Sequence, residues 1–265
     1  MRSARPSLTA RWVAAHRNRL ARTRPSTPSG DPAGEQALDR AVSGVFAVPI
    51  GRPTAVAERT RFVDNEVAGA LGHGVDQVVL LGAGYDGRAL RFAGATTTWF
   101  EVDRPATQAD KQRRLAALGL APQGVTYVGI DLMRADLGRA LETAGHDASR
   151  PSLFVCEGLF AYLTLEAVAS VCQALRDRAP AGSVLVATFL VVPAAGSRGQ
   201  ALRAAVDQLL RVIGERRRSV YLEGDAEKLM VVTGWRVARS SSPPPGWLGQ
   251  GSHFLALAAE PAPPR

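Results

Sequence analysis

"VVLLGAGYDGRALRF", residues 78–92, decides how the rest of the chain is read. Val78 to Leu81 make a short buried strand, the glycines that follow make a turn, and the residues from Asp86 onward start a helix. Gly82, Gly84 and Gly87 stand at the G-x-G-x-x-G spacing of a dinucleotide-binding turn. Asp103 follows at about the 20-residue distance where such folds place an acid on a ribose. The stretch points to an adenosine ligand, and the glycines alone leave open whether that ligand is a nicotinamide dinucleotide.

Outward from this turn, short apolar runs alternate with helical patterns. The sequence predicts helix over 53–72, strand 77–82, helix 86–94, strand 98–103, helix 105–118, strand 124–130 and helix 134–144. Strand 151–156, helix 165–178 and strand 183–190 continue the alternation. A helix over 225–232 and apolar runs at 235–239 and 253–259 close it. Such alternation gives βαβ units and a parallel sheet covered on both faces, an α/β fold. The Pro/Ser/Gly tract 240–251 is a loop between the last two strands.

The net charge of +8 raises nucleic acid as a partner, but its distribution argues against one. Residues 1–30 carry seven arginines and no acid, which leaves +1 for the remaining 235 residues. Apart from Trp12, no aromatic residue interleaves the basic ones, as a single-strand binder requires. The same stretch is Arg- and Ser-rich like a transit peptide, but Ser7 or Thr9 can cap a helix bearing Trp12, Val13, Ala15 and Leu20. A helix docked on the body accounts for it equally well. Without a run of 18 or more apolar residues no membrane span is expected. Two cysteines, Cys156 and Cys172, are too few for a disulfide framework or a cysteine zinc site and fit a reducing cytoplasm.

In an open α/β sheet, ligands lie outside the carboxyl ends of the strands. Glu101 and Asp103 end the second strand, Asp131 follows the third and Glu157 the fourth, each directly after an apolar run. One such acid alone reads as a helix N-cap; four around one crevice read as a site. Asp86 at the start of the first helix would cap its amides and repel a pyrophosphate. An acidic crevice suits a cofactor with hydroxyls, an amine, a neutral adenine and a cationic sulfonium, which describes S-adenosylmethionine better than NAD.

The segments "ERTRFVDNEV" (58–67), "QVVLLGAGYDGRALRF" (77–92), "FEVDRPATQADK" (100–111), "GIDL" (129–132), "CEGLFAYLT" (156–164) and "GW" (234–235) resemble, in this order, the leucine carboxyl methyltransferase family. The likeness is to its actinobacterial branch, which includes polyketide carboxyl O-methyltransferases of the tetracenomycin type. "SLTARWVAAHR" and "GDPAGEQAL" resemble the family's N-terminal helix and loop. Gly87 departs from the pattern, since the family usually has threonine there. The resemblance implies a class I methyltransferase fold, a seven-stranded, mostly parallel, Rossmann-like sheet whose last strand runs antiparallel. It implies one domain over 1–265, with a helical cap over 1–64, a core over 65–265 and a lid near 193–222. It further implies S-adenosylmethionine as cofactor and a small natural product of secondary metabolism, such as an aromatic polyketide, as substrate. Carried over by motif, Arg59 would pair with the methionine carboxylate, and the Gly82–Ala83–Gly84 turn would lie along the methionine and ribose. Asp103 would take the ribose hydroxyls, Asp131 and Leu132 the adenine, and Glu157 the methionine amine or the mouth of the substrate pocket.

A carboxylate nucleophile is ionised at neutral pH, with a pKa of about 4, and needs no base; a phenol, at about 10, needs one. Of His16, His73, His146 and His253, none follows one of the first four strands, which favours a carboxylate acceptor. A phenol or other hydroxyl acceptor with the same cofactor, and a nicotinamide oxidoreductase, are the alternatives. Tyr162, Arg198 and Tyr221 are the candidates for substrate contact, the last two within the expected lid.

Overall fold

The computed structural model describes residues 6–23, 30–43, 54–92, 94, 96–191, 208, 217–222, 224–242 and 251–259. Three helices precede the sheet: α1 (Leu8–Thr23), α2 (Ala33–Ser43) and α3 (Thr54–Gly72). Then come β1 (Gln77–Leu81), α4 (Arg88–Arg91), β2 (Thr98–Asp103), α5 (Pro105–Ala117), β3 (Val125–Gly129), α6 (Leu137–Thr143) and β4 (Ser152–Cys156). A 3-10 turn (Phe160–Tyr162), α7 (Leu165–Arg176), β5 (Val184–Val191), α8 (Asp225–Val232), β6 (Trp235–Ser241) and β7 (Gly251–Ala259) complete the described elements.

The strands form one sheet in the order β3-β2-β1-β4-β5-β7-β6. β1 to β5 pair in parallel, and β7 runs antiparallel between β5 and β6. This is the expected seven-stranded, mostly parallel arrangement. Every residue of β1 and of β4 is buried, because helices cover both faces at the centre of the sheet. At the edge, β3 buries only Val128.

One face packs Val78, Leu80, Trp99, Leu153, Val155 and Val186 against Val63 and Val67 of α3 and Ala89 of α4. The opposite face packs Val79, Leu81, Phe100, Phe154, Cys156 and Leu185 against α6, α7 and α8. A smaller apolar cluster of Ala14, Leu38, Val42, Tyr85 and Leu115 fastens α1 and α2 to α5. Local capping fixes the helix starts: the Ser7 hydroxyl accepts from the Ala10 N–H (3.1 Å), and Thr164 accepts from Ala167 (3.3 Å).

Most elements agree with their expected spans to within two residues, and two helices fall further short. The expected helix over 86–94 is the four-residue α4, because the Asp86 carboxylate accepts the Arg88 N–H (2.9 Å) and holds back the first turn. The expected helix over 134–144 starts at Leu137, because the Arg134 and Ala135 amides close a turn on the Asp131 carbonyl before Asp136 caps α6. Among the described residues no helix is long and apolar enough to cross a membrane. Of the expected lid over 193–222, only residue 208 and residues 217–222 are described; Arg198 lies outside them.

Candidate cofactor-binding site

β1 pairs with β2 on one side and β4 on the other, so the chain order reverses between β1 and β4. The carboxyl ends of these strands therefore flank the crevice where an open sheet takes its ligand. The sheet brings the Gly82–Gly84 turn, Asp103, Asp131 and Glu157 to this one edge.

Asp103 is held from both sides. Its Oδ2 accepts the Gly84 N–H and its Oδ1 the Arg104 N–H, each at 2.6 Å. Burial raises its pKa above the usual carboxylate value, against the pull of those two amides. Each oxygen keeps a further lone pair, so an oriented carboxylate with acceptor capacity faces the turn. Gly82 (φ 63°) and Gly84 (φ 52°) are left-handed, a conformation glycine adopts without strain. A Cβ on Gly84 would lie 2.9 Å from the Ala10 Cβ of α1, and one on Gly82 would lie 2.9 Å from Leu159 Cδ1. The turn thus lies directly beneath α1 and Leu159. Ala83 between them is buried, its N–H bonded to the Val102 carbonyl (3.1 Å). Asp131 Oδ1 accepts the Met133 N–H (3.0 Å), a tight local turn that leaves Leu132 half-buried against the apolar layer.

At the β4 end, Glu157 joins two arginines. Arg59 Nε donates to Oε1 (2.9 Å) and Arg88 Nη1 to Oε2 (2.6 Å). Burial pushes the Glu157 carboxyl up, but Arg88 and Arg59 outweigh it and hold the group well below the usual carboxylate range. Residue patterns alone do not separate Arg59 from Arg61, and the family resemblance points to Arg59; the structure turns Arg59 toward Glu157 and leaves Arg61 exposed. Beneath this pair lies a buried ionic array that sequence reasoning missed. Arg88 reaches Asp64 (2.8 Å) and Asp86 (2.6 Å), and Arg91 reaches the other oxygen of Asp64 (2.7 Å). Asp64 sits inside the "ERTRFVDNEV" segment, but no local pattern pairs it with residues 24 and 27 positions away.

Glu101, expected as a fourth acid of the crevice, is not part of it. Its carboxylate is 1% exposed and pairs with Lys111 of α5 at 2.6 Å, so it is a buried ion pair between sheet and helix. Tyr162 is half-buried in the 3-10 turn that follows Glu157. Tyr221 is 2% exposed, edge-on to Phe189 at 5.0 Å, and its segment joins the end of β5 through a Tyr221–Val191 bridge. His16 is buried against Trp12, and His73 is exposed. His146 is buried under the opposite face of the sheet. His253 on β7 lies 2.6 Å from Glu227 and 2.5 Å from the Ser242 hydroxyl. Among the described residues no three or more His, Cys, Asp or Glu side chains cluster as metal ligands do.

The family model described as leucine carboxyl methyltransferase matches residues 31–176. A relative from Mycolicibacterium paratuberculosis (strain ATCC BAA-968 / K-10), named "Putative S-adenosyl-L-methionine-dependent methyltransferase", is 41% identical over 137 residues. That match covers 50% of this chain and 43% of the relative, so the likeness spans less than half of the relative's length. Among solved structures, a "putative methyltransferase" from Thermobifida fusca YX superposes with a TM-score of 0.59 at 16% identity, over 97% of this chain and 96% of that one. Magnesium protoporphyrin IX methyltransferase from Synechocystis PCC 6803, crystallised with bound SAH, gives 0.51 at 14% identity, over 92% and 93%. At these identities the structural likeness is one of fold.

Proposed function

The chain belongs to the leucine carboxyl methyltransferase family, and from that premise we propose that it is an S-adenosylmethionine-dependent O-methyltransferase acting on a carboxylate of a small natural product, such as an aromatic polyketide. The observation that carries the cofactor part is the donor set at the switch point. Asp103, fixed by two amides, offers oxygens to paired hydroxyls, while Arg59 and Glu157 offer opposite charges to an α-amino acid. A dinucleotide would need free helix amides for its pyrophosphate. Here α4 has four residues and the Arg88 amide already bonds to Asp86, which argues against the nicotinamide alternative.

In this reading Asp103 takes the ribose hydroxyls, Asp131 and Leu132 read the adenine, and Gly82, Ala83 and Gly84 let the backbone approach. Arg59 takes the methionine carboxylate and Glu157 its ammonium. When bound, the cofactor supplies a methyl group activated by its sulfonium. The protein's own task is to align an acceptor and exclude water. α1 over Gly84 and Leu159 over Gly82 give the crevice part of its cover. In the same reading residues 1–64 serve as the cap and residues 193–222 as the lid. Tyr162, Tyr221 and Arg198 contact the acceptor. Both cysteines are free and buried, which fits the proposed reducing cytoplasm.

A second reading has its own observation. His253 beside Glu227, on the strand next to β5, is a histidine–carboxylate pair that would serve as the base for a phenol taking the place of the Ser242 hydroxyl on Nδ1. Methyl-labelled cofactor offered with aromatic acids, their methyl esters and matched phenols separates the two. The carboxyl reading expects label on the acids alone, released by mild alkali, at a rate flat above about pH 6 because a carboxylate is ionised there. Alkali-stable label on the phenols and esters, with a rate rising with pH, would replace it with the hydroxyl reading.

A further inference from the structure

The two arginines on Glu157 differ in how they are held. The Arg59 side chain is 18% exposed and reaches Oε1 from α3. That of Arg88 is 1% exposed and is fixed at two points besides Glu157, Nε on Asp64 and Nη1 on Asp86, while Asp86 Oδ1 also holds the Arg88 backbone N–H. Asp64 is equally buried and is braced by Arg91. Arg88 Nη1 thus presents Oε2 of Glu157 with a donor that has little freedom to move.

We propose that Arg88 is a positioning residue for the amino-acid end of the cofactor: it anchors Glu157 through Oε2, so that Arg59 can leave Oε1 and take the ligand's carboxylate while Oε1 takes the ammonium. The inference rests on the cofactor reading above. A zwitterion entering between Arg59 and Glu157 exchanges one ion pair for two. During that exchange Glu157, 7% exposed, would be a buried carboxylate without a partner unless Arg88 stayed in place. Arg88 is also the cation that contributes most to holding the Glu157 carboxyl ionised against its burial, ahead of Arg59. Lysine cannot substitute, because one ammonium cannot span Asp64, Asp86 and Glu157 in the fixed fork of a guanidinium.

The test compares two ligands by calorimetric titration of the full chain: S-adenosylhomocysteine, and 5′-methylthioadenosine, which has the adenosine and thioether but no amino acid. Arg88→Lys is expected to bind S-adenosylhomocysteine about tenfold more weakly or worse and 5′-methylthioadenosine as wild type does. In that variant the S-adenosylhomocysteine affinity should also fall more steeply toward low pH than it does in wild type, as Glu157 takes a proton without Arg88 beside it, while the change due to Asp103 is common to both proteins and to both ligands. Added to Glu157→Gln, Arg88→Lys should cost nothing further. Equal losses for both ligands would mean a merely structural role, and unchanged affinity for both would mean none; either overturns the inference. Arg88→Lys is used rather than Arg88→Gln because it keeps a cation between Asp64, Asp86 and Glu157 and so spares the fold. Wild-type protein that binds neither ligand would instead sink the cofactor reading, and this inference with it.

Discussion

The face of the sheet under α6, α7 and α8 buries Val79, Leu81, Phe100, Phe154, Cys156 and Leu185 in one large apolar layer. The other face buries Val78, Leu80, Trp99, Leu153 and Val155, but over these it also buries Asp64, Asp86, Arg88, Arg91, Glu101 and Lys111. Apolar packing is non-directional and asks only for size and pattern. A buried ionic array asks for every partner in place, since removing one leaves a charge without compensation. The crevice lies above the demanding side, and α1 and α2 are tied to that side by Arg17 to the Tyr85 carbonyl (2.8 Å) and Arg91 to Glu35 (3.6 Å). The contrast shows one layer giving bulk stability while the other fixes the side chains at the carboxyl ends of β1 and β4.

The largest effects should come from one deletion in each layer. Phe154→Ala, fully buried and edge-on to Trp235 at 6.3 Å, should cost about 3–5 kcal/mol in guanidinium unfolding. Asp64→Ala should cost about as much, because Arg88 and Arg91 lose their shared partner. The two then part company. Adding Arg91→Met to Asp64→Ala should return part of the loss by removing one of the two buried cations that Asp64 had paired. A double variant no better than the single would mean the second face is held by packing alone, and the contrast would fail.

A smaller effect tests how the cap meets the charged side. A Cβ on Gly87 would come within 2.6 to 2.9 Å of Glu35 Cγ, Cβ and Cα, so α2 sits directly on this glycine. Gly87 is therefore a packing residue, which gives the departure from the family's threonine a physical reason. Gly87→Thr should cost about 1–3 kcal/mol by forcing α2 outward. A thermal melt that matches wild type would show that α2 is loosely seated on Gly87.

This asymmetry explains what the sequence made legible. β1 and β4 are apolar throughout and bounded by turn residues, so their place at the centre could be read directly. Asp103 and Asp131 stood out because acids directly after apolar runs fall at strand ends by geometry. Arg88 did not, since its role depends on Asp64 and Glu157, 24 and 69 positions away. Glu101 misled because alternation sends it to the same face as Asp103, and only the tertiary fold shows Lys111 closing over it. α4 was drawn too long because Asp86 was legible as a cap but was placed inside the helix, whereas its carboxylate takes the Arg88 amide and the helix begins only there.

The subtlest test uses pH, since each side of the sheet holds a titrating group and the two act in opposite directions. On the side covered by α1 and α2, burial pushes Asp39 of α2 up to about 8, against the pull of Arg17 at 3.6 Å. On the far face, burial and then Arg178 push His146 down to about 4. From about pH 4 to 8 folded Asp39 keeps a proton that the unfolded chain, with its pKa near 4, has released, so this contribution falls as pH rises. From about pH 4 to 6.5 the unfolded chain protonates His146 while the folded protein does not, so that contribution rises with pH. The two oppose each other below about pH 6.5, and above it Asp39 acts without His146, at no more than about 1.4 kcal/mol per pH unit. Unfolding free energies measured across this range should therefore decline more steeply above about pH 6.5 than below it. Asp39→Asn should flatten the upper limb, leaving what the other carboxyls raised by burial, Glu35, Glu101 and Asp103, contribute. His146→Gln should leave the upper limb alone and tilt the lower one downward with rising pH. If Asp39→Asn keeps the full upper slope, the cap carboxylate is ionised in the folded protein, and the charge balance drawn for that side is wrong by one.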